Sequence, residues 1–545
     1  MLKNFRNILG LSLGASAVMA SAYPDKMQLA LAIPIRLARD VSAVTLIVSD
    51  YKVSLRGKSG IDRELALEAC HVRGAHRLKD LCFANGGIYI KLGQHVGQLD
   101  HLLPDPYVET MQKYLLDQCP ISTLEEVRQI MIKDLGSPPE KLFASFSPNP
   151  IASASLAQVH EASTHDGKKV AVKVQHAGIR ETSVADIATI EFLVSAVRLI
   201  FPDFDYQWLV DEAKLNLPRE LDFTLELKNA EKCRSNLSSK VSKLGPGRVH
   251  VPHMHPELSS HRVLTMEFIG DAVGVTDQKG LKAAGIRASE LAKLISQTFG
   301  EMIFIHGHVH CDPHAANMMV RKRPEDGGTQ LVLLDHGLYR DLDDEFRLAY
   351  AGLWRSLVFA DEVGIRRHSE KMNAGDAVPL FAALLTQRPW EDILDNSVNH
   401  LAIPNSKEHK EHLARFAADN VKNISKMLLT VPRPLLLLLK TNDCLRSVDK
   451  ELGQPINTFV ITARECTRAL ALDRTVRAQS VFIRHGSHLG VGNTFGDLLR
   501  KGARVMSEIL VSPVRIYNLV ETIKVEMRIC ILKAVADYSS LSSLP

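Results

Sequence analysis

Apolar residues recur every three or four positions through most of the chain, the period of amphipathic helices, and give way to alternation only in a short middle stretch. Over 59–147 the helical period places Ile88, Leu92, Val96, Leu99 and Leu103 on one face, until Pro104 and Pro106 interrupt it. Helices are predicted again at 107–118 and 122–135, the second capped by Ser122 with Glu125 three residues on. Between 148 and 175 the pattern shortens to two antiparallel strands, 156–160 and 170–174, with Gly167 as the turn. Helical spacing returns at 184–200, at 206–216, and in a charged segment at 219–237 entered through Pro218. A strand at 263–268, an apolar helix at 291–306 and a short apolar strand at 331–334 follow. Beyond Leu342 the signals are helical, including 344–359, 434–452 and an amphipathic tail at 514–538. The leucine run at 435–439 is too short to span a bilayer and reads as a buried helix.

Candidate chemistry concentrates where the apolar 291–306 helix ends. His310-Cys311-Asp312-Pro313-His314-Ala315-Ala316-Asn317 is followed, after one short loop and a strand, by Asp335-His336-Gly337. Asp312 and Asn317 stand five apart, as do the base and metal-binding Asn of a kinase catalytic loop; Asp335 takes the place of the metal-binding Asp of Asp-Phe-Gly. The pattern predicts phosphotransfer, with Asp312 accepting or orienting a proton and Asn317 and Asp335 holding Mg2+ on ATP. The other parts occur in order. Lys173 ends a Val-Ala-Val-Lys strand, the setting in which a kinase lysine reaches the α and β phosphates. Ile151, Ala152, Ser153, Ala154, Ser155, Leu156 and Ala157, with Val159 on the next strand, occupy the place of a glycine-rich phosphate cover. Their side chains restrict backbone angles that glycine leaves open, so a stiffer loop is expected. One of Glu220, Asp222 and Glu226 is expected to pair with Lys173, and Met266, Glu267 and Phe268 form the hinge against which adenine rests. His306, His308, His310 and His314 with Cys311 admit a rival zinc site, but Pro313 argues against a regular helix between the last two histidines.

Composition narrows the classes. With 545 residues, 46% of them hydrophobic, the chain is too long for one ordinary core and is expected to be a large enzyme with extensions. A net charge of +4 on 66 basic and 62 acidic residues gives no support to a nucleic-acid partner. Eight scattered cysteines without a Cys-x-x-Cys argue against a disulfide framework or a zinc ribbon. Residues 1–24 lack acidic groups and interleave Lys3, Arg6 and serines with apolar residues, which fits a mitochondrial presequence; a secretory signal and a short anchor are the competing readings.

Lys91-Leu92-Gly93-Gln94, the Ala-Ser-Ala-Ser loop, Glu220-Leu221-Asp222, His310-Cys311-Asp312-Pro313 and Asp335-His336-Gly337, in that order, resemble the UbiB family of atypical kinases. The resemblance implies an α+β, bilobal, protein-kinase-like fold with a small β-containing N-lobe, a large helical C-lobe and additional helices at both ends. It implies a targeting or anchor segment over 1–24, a helical extension over 25–147, an N-lobe over 148–269, a C-lobe over 270–452 and a helical extension over 453–545. By the same resemblance, Lys91 and Gln94 belong to a regulatory lid, with Lys91 held by Glu220 or Asp222, which leaves Glu226 as the partner of Lys173. The implied cofactors are ATP and Mg2+. The implied setting is mitochondrial and associated with the inner membrane, with a lipid or small-molecule substrate, a role in lipid or coenzyme Q biology, and no protein partner specified. A nucleotide-sensing scaffold with little turnover is the alternative. Relatives have Pro-Gly where this chain has Ala315-Ala316, so a required positive φ at Ala316 would strain the turn by about 1 kcal/mol.

Overall fold

The computed structural model describes residues 27–97, 103–115, 119, 121–202, 206–373, 378–386, 388–395, 431–486, 514 and 516–527. The segment at 1–24, Leu99 and the tail beyond Met527 lie outside the described residues.

The described chain opens on a layer of helices α1 (Met27–Ser54), α2 (Gly60–Asn85), α3 (Ile88–Val96) and α4 (Asp105–Leu115). Among the described residues no helix is long and apolar enough to cross a membrane. Polar clasps tie this layer together. Buried Asp40 of α1 accepts hydrogen bonds from Asn85 Nδ2 at 2.8 Å and from the Tyr89 hydroxyl at 2.7 Å. Arg36 forks onto Asp186 at 2.8 and 2.6 Å, joining α1 to a helix of the next lobe. Gly93 is needed for close packing of α3 on α4, since a Cβ there would meet Leu115 Cδ1 at 2.2 Å. Burial raises the Asp40 carboxyl from 3.8 to about 6, despite the hydrogen bond from Tyr89. A raised acid pKa means that the fold binds this proton more tightly than the unfolded chain. The contribution is therefore fully present below pH 3.8 and is lost as pH rises to about 6. We expect Asp40→Asn to remove a pH-dependent share on the order of 2 kcal/mol, read as the change in the wild-type-minus-variant unfolding difference between pH 4 and pH 7. A difference that stays flat over that range would contradict it.

The small lobe is built on an antiparallel sheet, β1 (Ser145–Phe146), β2 (Ala152–Ser153), β3 (Ala157–Ser163), β4 (Lys169–Gln175) and, further along, β6 (Val263–Glu267), in the order β1-β3-β4-β6 with β2 beside β3. Its two central strands are the pair expected from alternation. Helix α5 (Leu124–Leu135) packs Val127, Ile130 and Met131 against Val170, Val172, Val174 and Val263, so the lobe's core begins ahead of its first strand. The capping expectation is corrected by one residue. Thr123 is the cap, in a reciprocal box with Glu126, because the Ser122 amide is taken by Gln158 at 2.6 Å and its hydroxyl by His176 at 2.9 Å.

Helices α6 (Ile179–Ile200), α7 (Gln207–Glu220) and α8 (Phe223–Leu237) follow. The predicted single helix over 219–237 is also corrected: Pro218 lies in the last turn of α7, and the break falls at Leu221 and Asp222. Asp222 accepts a hydrogen bond from the Thr224 amide at 3.0 Å and so caps α8.

In the larger lobe, α9 (Ala288–Gly300) passes into a π-helical turn, Glu301–His306, where one continuous α-helix was expected. Strand β8 (His308–His310) pairs antiparallel with β11 (Tyr339–Asp341). A separate four-stranded sheet runs in the order β5 (Val249–His250), β10 (Thr329–Leu333), β9 (Met318–Lys322), β7 (Val273–Gly274). Helices α10 (Asp344–Phe359), α11 (Glu362–Glu370), α12 (Val378–Thr386), α13 (Arg433–Glu451) and α14 (Thr458–Gly486) complete the lobe. The leucine run of α13 is buried with Leu353, Phe381 and Cys466 in one core. Val525, in the helical segment at 516–527, packs on Val358 and Val460. The architecture is the α+β, bilobal, kinase-like one, with a small lobe carrying the sheet, a helical larger lobe and extra helices at both ends. The seven described cysteines are free thiols.

Candidate active site

Lys173 sits centrally in β4, opposite Val159 of β3 and Leu264 of β6. Strand alternation sends its side chain to the face covered by α8. There Nζ donates to both Glu226 oxygens, at 2.9 and 3.0 Å, and to Asp335 Oδ2 at 2.8 Å. Of the three acidic candidates, Glu226 is thus the partner of Lys173. Burial is the largest influence on all three groups. It would drive the Lys173 ammonium toward neutrality, but Asp335 and Glu226 reverse this and hold its pKa above the ordinary value. Burial and the neighbouring Asp335 charge raise the Glu226 carboxyl, against the pull of Lys173. Burial opposes ionisation of Asp335 too, yet Lys173 and the Gly337 amide, 2.9 Å from Oδ1, hold it well below the usual range.

The ribbon of β8 and β11 brings the two metal-ligand candidates together. The Cys311 amide donates to Leu338 O at 2.9 Å, and the Leu334 amide to Asn317 O at 2.9 Å, so the Asp312 loop and the Asp335 turn are laced by backbone. Asn317 Nδ2 donates to Asp312 O at 3.0 Å. Ala315–Asn317 forms one 3₁₀ turn, and Ala316 is absent from the described non-glycine residues with positive φ. The strain considered for Ala315-Ala316 therefore does not arise.

Asp312 is nearly enclosed, its side chain 13% exposed, with Lys440 Nζ 3.1 Å from Oδ1 and Lys91 Nζ 4.0 Å from Oδ2. Burial would raise its pKa; Lys440, then Lys91, overcome this and keep the carboxylate ionised. Lys91 makes its short contact with Glu220, at 2.9 Å. Asp222, the other expected lid partner, instead caps α8 and touches His261 Nδ1 at 2.9 Å. Gln94 Nε2 donates to Leu115 O at 2.9 Å, while its Oε1 accepts from the Ser155 hydroxyl at 3.2 Å.

That contact ties α3 to the alanine-rich loop. Ala152 and Ser153 pair with Val159 and Gln158, and the Ala154 amide donates to Ala157 O at 2.8 Å, closing a tight hairpin. His176 holds it from the other side, its backbone amide 3.0 Å from Leu156 O and its ring Nε2 3.0 Å from Ala154 O. Leu156 packs with Leu81, Ile88 and Leu115 of the preceding helices, whereas Ile151 is exposed. The hinge candidates fall at the end of β6. Met266 packs with Ala157 and Ala171, and Val159 and Phe268 flank that core, on the sheet that carries Lys173. Glu267 turns its carboxylate to His250 Nε2 at 2.9 Å, so it offers a planar base only its backbone.

The histidines of the rival zinc reading are dispersed. His306 faces Glu301 at 3.7 Å, His308 bonds Asp341 at 2.7 Å, and His310 stacks on Tyr339 with centroids 5.1 Å apart. Burial lowers the His308 and His310 pKa values, which keeps these rings neutral. Among the described residues no three His, Cys, Asp or Glu side chains form a metal-holding group. Lys440 is the site residue missed from sequence. Its only local signal is a lone cation that ends a leucine run.

Residues 114–369 match the ABC1 atypical kinase-like domain. An ABC1 protein of Arabidopsis thaliana is 47% identical over 470 residues, 84% of this chain and 87% of the relative. AarF domain-containing protein kinase 1 of Mus musculus is 44% identical over 454 residues, covering 83% of this chain and 84% of the relative. A solved Mycobacterium tuberculosis protein in complex with erythromycin is 21% identical, with a TM-score of 0.43 over 73% of this chain and 98% of that one. The chain belongs to the ABC1, or AarF domain-containing, family of atypical kinase-like proteins.

Proposed function

We propose that this chain is an atypical kinase or ATPase that binds Mg-ATP in mitochondria and acts in lipid, coenzyme Q or inner-membrane homeostasis, not on protein substrates. The observation that carries the reading is the bridge of Lys173 between Glu226 and Asp335, three groups drawn from β4, α8 and the turn after β10. The donor set fits the proposed cofactors. Lys91, Lys173 and Lys440 face Glu220, Glu226, Asp312 and Asp335, three formal positive charges against four negative, and the ligand atoms that Asn317 and Asp335 would present are oxygens, suited to a hard cation. Asn317 and Asp335 would hold Mg2+, which when bound neutralises phosphate charge. Lys173, kept charged and aimed by Glu226, binds the α and β phosphates. Ionised Asp312 accepts the hydrogen bond of an acceptor hydroxyl or water and orients it. The apolar residues around Met266 take the adenine.

A small or lipid-linked acceptor fits because Lys91 and Gln94 cover the entrance and α10 begins nine residues after Asp335, leaving no platform for a peptide. The mitochondrial part of the proposal rests on the composition of 1–24 together with the family. A second reading, a nucleotide sensor with little turnover, is favoured by the two ammonium groups at Asp312, which weaken it as a base. Phosphate release from Mg-ATP by the purified chain, with and without cardiolipin-containing vesicles, tests both. We expect measurable turnover that falls by about 10²-fold or more in Lys173→Met. Tight ATP binding without turnover would select the sensor, and no ATP binding would sink both.

A further inference from the structure

We infer that Lys440 is a working cation of the phosphotransfer site and recognises the terminal phosphoryl group of a nucleoside triphosphate, an inference that rests on the Mg-ATP reading above. Lys440 belongs to no kinase motif in the chain and comes 105 residues after Asp335. Its placement is not that of a surface lysine. Helix α13 is seated by buried Leu435, Leu437 and Leu438, and the side chain of Lys440 is only 13% exposed. The next turn braces it: the Thr441 hydroxyl donates to Leu437 O at 2.7 Å and Asn442 Nδ2 donates to the Tyr350 hydroxyl at 3.0 Å. A lysine that merely snorkels would carry its ammonium outward to water. This one points inward, to Asp312 at 3.1 Å.

Two lysines approach Asp312, and their contacts differ. Lys91 is committed to Glu220 at 2.9 Å and reaches Asp312 only at 4.0 Å. Asp312 Oδ1 is the single carboxylate contact of Lys440 among the described residues. An ammonium has three N–H donors, so it can serve Asp312 and a second acceptor together. Because Asp312 orients the acceptor, the group delivered there enters the field of Lys440 in a site of reduced dielectric. In phosphoryl transfer that group carries its charge on three outer oxygens. Lys173, bound by Glu226 and Asp335, serves the inner phosphates; Lys440 thus distinguishes a triphosphate from a diphosphate.

The test is equilibrium binding with Mg2+, comparing ADP with a non-hydrolysable β,γ-imido ATP analogue by displacement of a fluorescent nucleotide. In Lys440→Met we expect triphosphate affinity to fall by about tenfold or more while ADP affinity stays within about twofold, with part of the loss restored in Lys440→Arg. Equal losses for the two nucleotides, or no loss, would overturn the assignment. Should Lys440→Met fail to fold with Asp312 unpaired, the same comparison between Asp312→Asn and Asp312→Asn/Lys440→Met decides, since neither variant buries a lone carboxylate at that position. Failure of the wild-type chain to bind either nucleotide would defeat the ATP reading itself; wild-type binding with an unchanged preference in the variant defeats only the role of Lys440.

Discussion

Asp335→Asn is expected to lower ATP turnover by about 10²- to 10³-fold, the loss that follows removal of one preorganised charged group from a transition state, while the protein stays folded and still binds nucleotide. The geometry separates these outcomes. An asparagine keeps an Oδ1 acceptor for the Gly337 amide, now 2.9 Å away, so the turn survives. It loses the charge that meets Lys173 at 2.8 Å and that would hold Mg2+, but Lys173 retains Glu226 at 2.9 Å. Removing the Asp335 charge also removes one of the influences that raise the Glu226 carboxyl, so that group ionises more readily and holds the lysine more firmly. Because Asp335 is held well below the ordinary carboxylate range, its charge stabilises the fold at neutral pH, and an asparagine Nδ2 in place of Oδ2 meets the Lys173 ammonium donor to donor, so thermal stability should fall modestly without loss of the fold. Single-turnover phosphate release together with a melting curve checks both halves. Undiminished turnover with ATP bound would remove Asp335 from the metal centre, and a collapsed fold would reassign it to structure.

Arg468→Met is expected to destabilise the chain by about 3–5 kcal/mol, the cost of stranding a buried charge. The Arg468 guanidinium, 11% exposed, donates to Glu301 Oε1 at 2.7 Å and Glu465 Oε2 at 2.8 Å, and reaches Val241 O as well. Glu301 is 1% exposed and also accepts the Lys243 amide at 2.6 Å. Without Arg468, two carboxylates face each other in the core. Burial alone would raise Glu301, but its His306, Lys243, Ser242 and Arg468 contacts hold it down to about 2 from 4.5. A depressed acid stabilises the fold above its unfolded pKa, and this share is lost as pH falls from 4.5 toward 2. In the variant, acid protonates the stranded carboxylates, so its deficit should narrow on going from pH 7 to pH 4. Chemical denaturation at the two pH values measures this. A deficit under about 1 kcal/mol at pH 7 would mean that the cluster is dispensable, as exposed pairs are.

What could be read from the sequence was local. The β3–β4 pair follows from alternation around Gly167, and the spacing of Asp312, Asn317 and Asp335 carries the phosphotransfer reading because those residues lie within one backbone-laced ribbon. Errors arose where two local solutions compete. Ser122 with Glu125 and Thr123 with Glu126 are overlapping capping boxes, and only the distant His176 and Gln158 decide between them. Pro218 satisfies the rule for a helix start, yet Asp222 caps a later one and leaves the proline inside α7. Choosing Glu220 over Asp222 for Lys91 depends on the same cap. Lys440 had no motif to announce it, since its meaning comes from Asp312, 128 residues earlier.

The missing space at Gly93 has a mechanical consequence. With a Cβ position only 2.2 Å from Leu115, α3 has no room to roll on α4, and Asp40 pins its first turn to α1 and α2. The helix that carries Lys91 and Gln94 therefore behaves as a stiff plate, and on the proposed reading, uncovering the site demands travel of the whole four-helix block about its Arg36–Asp186 fastening. Leverage applied far out on that block would thus be felt at Lys91 and Gln94, which makes the outer helices the natural handle for anything that regulates entry.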